Sequence, residues 1–172
     1  MALALTGARP AAAAEVPWGG EGCAPPAAGA PRTSATCAAT LVNGRAIAPP
    51  GAPPVVKAVI ASANKINGRP YVWGGGHLSF DTHGYDCSGA VSYALHGGDL
   101  LGTTMVSGQL AHWGAPGVGR WITVYANSQH VYMEVAGLRY DTRGNPPGVT
   151  GPRWHTLGVS ALNFKARHPF AL

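Results

Sequence analysis

Charge is scarce in this chain. Only 11% of its 172 residues are Asp, Glu, Lys or Arg, with seven acidic against twelve basic side chains and a formal net charge of +5. No basic cluster exceeds two neighbours, so the positive charge forms no stripe that could track a phosphate backbone, and nucleic acid is not an expected partner. Long apolar runs are missing too. Gly or Pro breaks each one within about a dozen positions, short of the roughly 18 residues that a membrane-spanning helix needs. The glycines Gly74 to Gly76 are not followed by the Lys-Ser/Thr of a phosphate-binding loop, and no Gly-x-Ser-x-Gly elbow occurs. These absences leave a small domain with 46% hydrophobic residues, enough to bury a core and support an enzyme.

Cysteine is sparse and unevenly spread. Cys23 and Cys37 lie in the front portion, whereas Cys87 stands alone in the densest motif. Pairing the first two closes a loop of about 15 residues, a constraint of roughly 3 kcal/mol in the chain-entropy model, and leaves Cys87 free. Residues 1–53 hold eight of the fifteen prolines and few large apolar side chains. This segment is expected to be a Pro/Ala-rich linker, extended or disordered apart from the bridge, with the folded domain spanning 54–172. Its first residues, Met-Ala-Leu-Ala-Leu-Thr-Gly, carry a short apolar stretch ahead of small residues, a poor signal peptide or the remnant of one, so export is the expectation.

From Pro54 the spacing turns helical. Val56, Val59, Ile60, Ala63 and Ile66 recur at three and four, with proline in the first turn and Gly68 as a stop. A glycine-bearing loop, Arg69-Pro-Tyr-Val-Trp-Gly-Gly-Gly, follows. A second helix then begins at the N-cap Asp86, with Ala90, Val91, Ala94 and Leu95 as its buried stripe and Gly97-Gly98 as a left-handed exit. Beyond residue 119 the period becomes two: 120–126, 130–135 and 138–142 read as strands, the last two joined by a tight turn at Ala136-Gly137. Helices first and antiparallel strands second define an α+β fold.

Cys87 falls in the first turn of the second helix, where unpaired backbone N–H groups and the positive dipole end favour a thiolate. A thiol nucleophile needs a histidine within hydrogen-bond reach, itself oriented by a third polar group. Of the seven histidines, the strand register selects His130. A two-residue hairpin at Ala136-Gly137 places Tyr132 opposite Asp141 and His130 opposite Arg143, making His130 and Asp141 diagonal neighbours on one face, about 7 to 8 Å apart. A slip of one residue would turn Asp141 away and leave Asn145 or His155 as the third group. The same residue types also raise a metal site at His77, His83 and Cys87, but the spacing is irregular and no second ligand pair accompanies it, so none is expected.

Taken together, Arg69-Pro-Tyr-Val-Trp-Gly-Gly, Tyr85-Asp-Cys-Ser-Gly-Ala-Val and His130-Val, in this order and at these separations, resemble the NlpC-type cell-wall peptidases. The resemblance runs from about residue 54 to the end. It implies a papain-like domain, with N-terminal helices packed on an antiparallel sheet, that hydrolyses peptidoglycan stem peptides between γ-D-glutamate and the following diamino acid. It implies Cys87 as nucleophile, His130 as base and later acid, Asp141 as the orienting group and Tyr71 as an oxyanion donor. Asp86 and Ser88 would meet the substrate's amine and amide groups, and Trp73 would join them as a substrate-binding residue. Neither cofactor nor metal is implied, and the enzyme is expected to act as a monomer, secreted or associated with the bacterial wall. Two positions depart from the family pattern: the residue two after the histidine, usually small, is Tyr132, and the third polar position, often histidine, is Asp141. An acyltransferase or amidase on the same scaffold, and a wall-binding module without turnover, are the rival readings.

Overall fold

The computed structural model describes residues 23, 36–158, 160–170 and 172. Among these residues, three helices and eight strands follow the order β1 (Thr40–Val42), β2 (Arg45–Ile47), α1 (Pro54–Ile66), α2 (Cys87–His96), α3 (Ser107–Leu110), β3 (Ala115–Pro116), β4 (Ile122–Ala126), β5 (Val131–Val135), β6 (Leu138–Asp141), β7 (Arg153–His155) and β8 (Lys165–His168). β1 and β2 form a separate hairpin. The other six strands make one antiparallel sheet in the order β3-β8-β4-β5-β6-β7, so the α+β class read from the sequence is the one observed.

α1 buries the stripe that its spacing defines, Val56, Val59, Ile60, Ala63 and Ile66, and starts on Pro54, whose missing N–H costs nothing in a first turn. α2 buries Ala90, Val91, Ala94 and Leu95, and Asp86 caps it by accepting a hydrogen bond from the Gly89 N–H at 2.8 Å. Its exit differs from expectation. Gly97 is right-handed, and the left-handed residue is Asp99 at φ 57°. Space is what the glycine pair supplies: a Cβ on Gly97 would strike the Ser62 side chain, and one on Gly98 would strike Val59. The two helices therefore pack closely, and the Tyr140 hydroxyl ties the sheet to α1 by donating to the Ala63 carbonyl at 3.1 Å.

Strands β4, β5 and β6 are buried on both faces except at Glu134, so the alternation in the sequence separates two packed faces rather than a dry face from a wet one. On one side Tyr125 and Tyr132 stack with ring centroids 5.0 Å apart, and Phe164 meets Tyr132 edge-on at 5.2 Å.

Packed structure begins upstream of Pro54. The β1–β2 hairpin turns at Asn43-Gly44, both left-handed, and Ala46 exchanges backbone hydrogen bonds with the Asn64 side chain of α1 at 2.8 and 3.1 Å. Cys23 and Cys37 are bridged, as their placement suggested. Most of the expected linker, residues 1–22 and 24–35, lies outside the described residues, as does the signal-like stretch. No described helix is long and apolar enough to cross a membrane.

The β5–β6 register is Met133↔Tyr140, Glu134↔Arg139 and Val135↔Leu138, the pairing derived from a two-residue loop. Ala136 (φ 48°) and Gly137 (φ 86°) both occupy the left-handed region, which matches the twist of the flanking strands. Gly137→Ala is expected to destabilise the domain by about 1 kcal/mol, read as a lower urea midpoint at constant m-value. An unchanged midpoint would mean that this turn does not hold the hairpin.

Candidate active site

The loop ahead of α2 is built against the helix N-terminus. Tyr85 N–H donates to the Pro70 carbonyl at 3.0 Å, Val72 N–H to Tyr85 at 3.3 Å and Asp86 N–H to Gly75 at 3.1 Å. The contact is close enough that a Cβ on Gly89 would run into the Gly75 carbonyl, and one on Gly76 into the Gly89 backbone. Glycine at these positions lets the loop lie on the helix turn that carries Cys87. Tyr71 is carried on this loop, near enough to Cys87 to feel its charge. Burial raises the Tyr71 hydroxyl above its ordinary pKa, the negative charges of Cys87 and Asp86 raise it further, and Arg143 opposes them.

Cys87 is the free cysteine of the described residues and is partly exposed. His130 immediately precedes β5 and is only 4% exposed. Its backbone N–H donates to Asn127 Oδ1 at 2.9 Å, and its carbonyl accepts from Asn127 N–H at 3.0 Å, so the loop residue fixes the start of the strand. Its Nε2–H donates to Asp141 Oδ1 at 2.9 Å. A carboxylate can only accept, so Nε2 carries the proton and Nδ1 is the nitrogen left for Cys87, which lies near enough to raise the ring's pKa.

Three forces act on the His130 ring. Burial lowers its pKa, but hydrogen bonds to Asp141 and Cys87, together with their charges, outweigh burial and raise it above 6.5. Asp141 is itself held. Its Oδ1 also accepts from Arg143 N–H at 2.9 Å, and its Oδ2 faces Arg139 Nε at 3.6 Å.

The structure thus pairs His130 with Asp141 and places Cys87 near enough to influence both the His130 ring and the Tyr71 hydroxyl. The alternatives to Asp141 do not take its place on the His130 ring. Asn145 donates to the Thr142 and Gly151 carbonyls, and His155 sits on β7 opposite Arg139, its pKa lowered by burial and then by the Arg139 charge. Asp86 and Ser88 face each other: the Ser88 hydroxyl donates to Asp86 Oδ1 at 3.0 Å, and Asp86 Oδ2 accepts from Gly74 N–H at 3.2 Å. His77 Nε2 lies 2.8 Å from the same Oδ2 and 3.0 Å from Ser88 Oγ. Trp73, on the loop, is 86% exposed. Among the described residues no group of three or more His, Cys, Asp or Glu is disposed to hold a metal ion.

Sequence reasoning missed His77 as a clamp on Asp86 and Arg139 as the partner of Asp141's second oxygen. The second was within reach, since Arg139 lies two residues before Asp141 on one strand and shares its face. The first was not, because the turn between Gly74 and Asp86 has no period from which a fold-back can be read.

Helices laid over an antiparallel sheet, with a thiol at a helix start and an imidazole at the start of a central strand, make an α+β fold similar to that of NlpC/p60 domain proteins. In particular, the chain is similar to the peptidoglycan hydrolase RipB of Mycobacterium tuberculosis, at 27% identity and a TM-score of 0.50. That match covers 66% of this chain and 64% of RipB, so the chain spans less than two thirds of RipB's length. It is also similar to a hypothetical invasion protein of M. tuberculosis at 24% identity and a TM-score of 0.46, over 66% of this chain and 61% of that protein. M. tuberculosis RipD, a non-catalytic NlpC/p60 domain protein adapted to peptidoglycan binding, matches at 19% identity and a TM-score of 0.48, over 66% of this chain and 96% of its own. No protein-family model matches the sequence, and no curated protein does.

Because the His130 pKa is raised in the folded state, protonation of the ring favours folding. That contribution is fully present below the unfolded value near 6.5 and is lost as pH rises through the folded value. An NMR titration of the imidazole should give a midpoint above 6.5 in the wild type. Asp141→Asn should shift it down, because burial then faces less opposition. A midpoint unmoved by Asp141→Asn would mean that the carboxylate does not hold the proton on the ring.

Proposed function

We propose that the protein is a cysteine peptidase that hydrolyses an amide bond in peptidoglycan stem peptides through a thioester, with the bond between γ-D-glutamate and the diamino acid as its target. The observation that carries this reading is the His130 Nε2–H bond to Asp141 Oδ1 at 2.9 Å, with the Cys87 thiol near enough to the same ring to raise its pKa. The fold shared with RipB, a peptidoglycan hydrolase, supports the substrate class. The Cys23–Cys37 bridge suits an oxidising site of action outside the cell, at the wall.

In this reading the Cys87 thiol gives its proton to His130 Nδ1, and the thiolate attacks the scissile carbonyl. The Cys87 backbone N–H has no partner within the helix, as in any first turn, and with the Tyr71 hydroxyl it stabilises the oxyanion. Tyr71 suits that task because its raised pKa keeps it protonated. The imidazolium then protonates the departing amine, leaving a thioester. His130 next takes a proton from water, the hydroxide equivalent adds to the thioester, and the thiol is released with the acid. Asp141 holds the ring in the one tautomer that leaves Nδ1 open. A substrate amine that pairs with Asp86 must displace the His77 ring, which already holds Oδ2, so His77 controls access to that carboxylate. Trp73, exposed at the cleft edge, offers an indole face to the peptide.

Digestion of purified muropeptides, resolved by mass spectrometry, tests the reading. Wild type should release the diamino acid-bearing fragment, and Cys87→Ala should release none. Asp141→Asn and Asp141→Ala should each lower kcat by about a hundredfold or more. Equal digestion by wild type and Cys87→Ala would remove the thiol from the chemistry, and undiminished rates in both Asp141 variants would remove the carboxylate.

A further inference from the structure

Behind the His130–Asp141 pair lies a buried cation. Arg139 is 6% exposed and stands two residues before Asp141 on β6, so the two side chains share one face of the sheet. Its Nε lies 3.6 Å from Asp141 Oδ2, too far for a hydrogen bond but close enough for the opposite charges to act on each other. A terminal nitrogen of the same guanidinium donates to the Arg143 carbonyl at 3.3 Å, while the Arg143 N–H donates to Asp141 Oδ1 at 2.9 Å. The turn beyond the carboxylate is shaped to this group. Gly144 is left-handed at φ 81°, and a Cβ there would strike the Arg139 guanidinium. One side chain thus braces the 141–143 segment through a hydrogen bond and the carboxylate through its charge.

A second carboxylate competes for that charge. Glu134, on β5, is opposite Arg139 in the strand register. Burial raises the Glu134 pKa, and a hydrogen bond with Tyr125 of β4 and the Arg139 charge oppose the rise. The other titratable neighbours add little charge of their own. Burial, then Glu134, holds the Tyr132 hydroxyl protonated and neutral. On β7, His155 is opposite Arg139, and burial followed by the Arg139 charge lowers its pKa, favouring the neutral ring. Arg153 is opposite Asp141 on that strand, but its guanidinium donates to the Thr150 carbonyl. Cys87 acts on the His130 ring from α2. Behind the imidazole, therefore, one cation is shared by two anions, Asp141 and Glu134. Buried charge is costly unless it is matched, so the share each anion takes matters.

We propose that Arg139 is a positioning residue for the reaction: lodged between Asp141 and Glu134, it holds the Asp141 carboxylate in place and withholds part of its negative charge from the His130 ring. The step it serves rests on the hydrolase reading. An imidazole backed by a bare buried carboxylate would keep its proton too firmly to pass it to the departing amine, and one without the carboxylate would lose the tautomer that leaves Nδ1 open. Arg139 acts only through Asp141, and Glu134 sets how much of its charge is left for that task.

NMR titration of the His130 imidazole tests this without turnover. Arg139→Gln should move the midpoint up, because the carboxylate then gives its whole charge to the ring. Glu134→Gln should move it down, because Arg139 then draws on Asp141 undivided. Arg139→Lys, which keeps the charge, should stay close to wild type. A merely structural role would not part the two midpoints in opposite directions. In muropeptide digestion Arg139→Gln should lower kcat by about tenfold or more, with KM within about twofold of wild type. Midpoints that stay put, or move the same way in Arg139→Gln and Glu134→Gln, overturn the proposal, as does an Arg139→Lys midpoint as high as that of Arg139→Gln or a kcat unchanged in Arg139→Gln. If Arg139→Gln does not fold, Glu134→Gln decides: a midpoint at or above that of wild type overturns the proposal. If wild type cleaves no muropeptide while the two midpoints part as stated, the hydrolase reading fails and the hold of Arg139 on the His130–Asp141 pair stands.

Discussion

A two-residue turn sets the geometry of the cleft. Ala136 and Gly137 both adopt left-handed backbone, and this fixes which residues of β5 and β6 face each other. Side chains alternate along a strand, so a shift of one residue would turn Asp141 to the opposite face and leave His130 without its carboxylate. The sheet resists that shift because β4, β5 and β6 are packed on both faces, and a slip would exchange every inward side chain at once.

The second constraint is closeness at the other end of the cleft. Cys87 is presented by a helix whose first turn is covered by the Tyr71 loop, and the glycines at positions 75, 76 and 89 permit that approach. Asp86 caps the helix and, through its second oxygen, ties down both the loop and His77. One carboxylate thus organises the thiol's side as Asp141 organises the imidazole's side. The His130 ring lies between opposing influences, burial favouring the neutral form and two partners favouring the charged one, and the partners prevail.

Helices α1 and α2, the central three strands and the pairing of His130 with Asp141 were legible in the sequence because each rests on a period or on a turn of known geometry, whereas the one-turn α3 was not. Val56 to Ile66 repeats at three and four, and the tight loop at Ala136-Gly137 implies its own register. The strands β7 and β8 were not legible. Arg-Trp-His and Lys-Ala-Arg-His are short and charged, and they join the sheet through backbone hydrogen bonds and neighbours distant in sequence, not through an apolar pattern. The β1–β2 hairpin did carry a signal, Asn43-Gly44, outweighed by the proline-rich composition around it. The role of Gly97 and Gly98 could not be read correctly, because the Ser62 and Val59 side chains that demand space belong to another helix.

The central claim is that the ribbon carrying His130 brings its imidazole onto the Cys87 sulfur, so that thiol and ring share a proton. The rate of Cys87 alkylation by iodoacetamide, measured against pH in wild type and in His130→Gln, tests this directly. The account predicts an inflection in the wild-type profile that belongs to the coupled pair and disappears in His130→Gln, leaving a single simple thiol titration. Superimposable profiles for the two proteins would contradict it, because the sulfur would then be ionising without the imidazole.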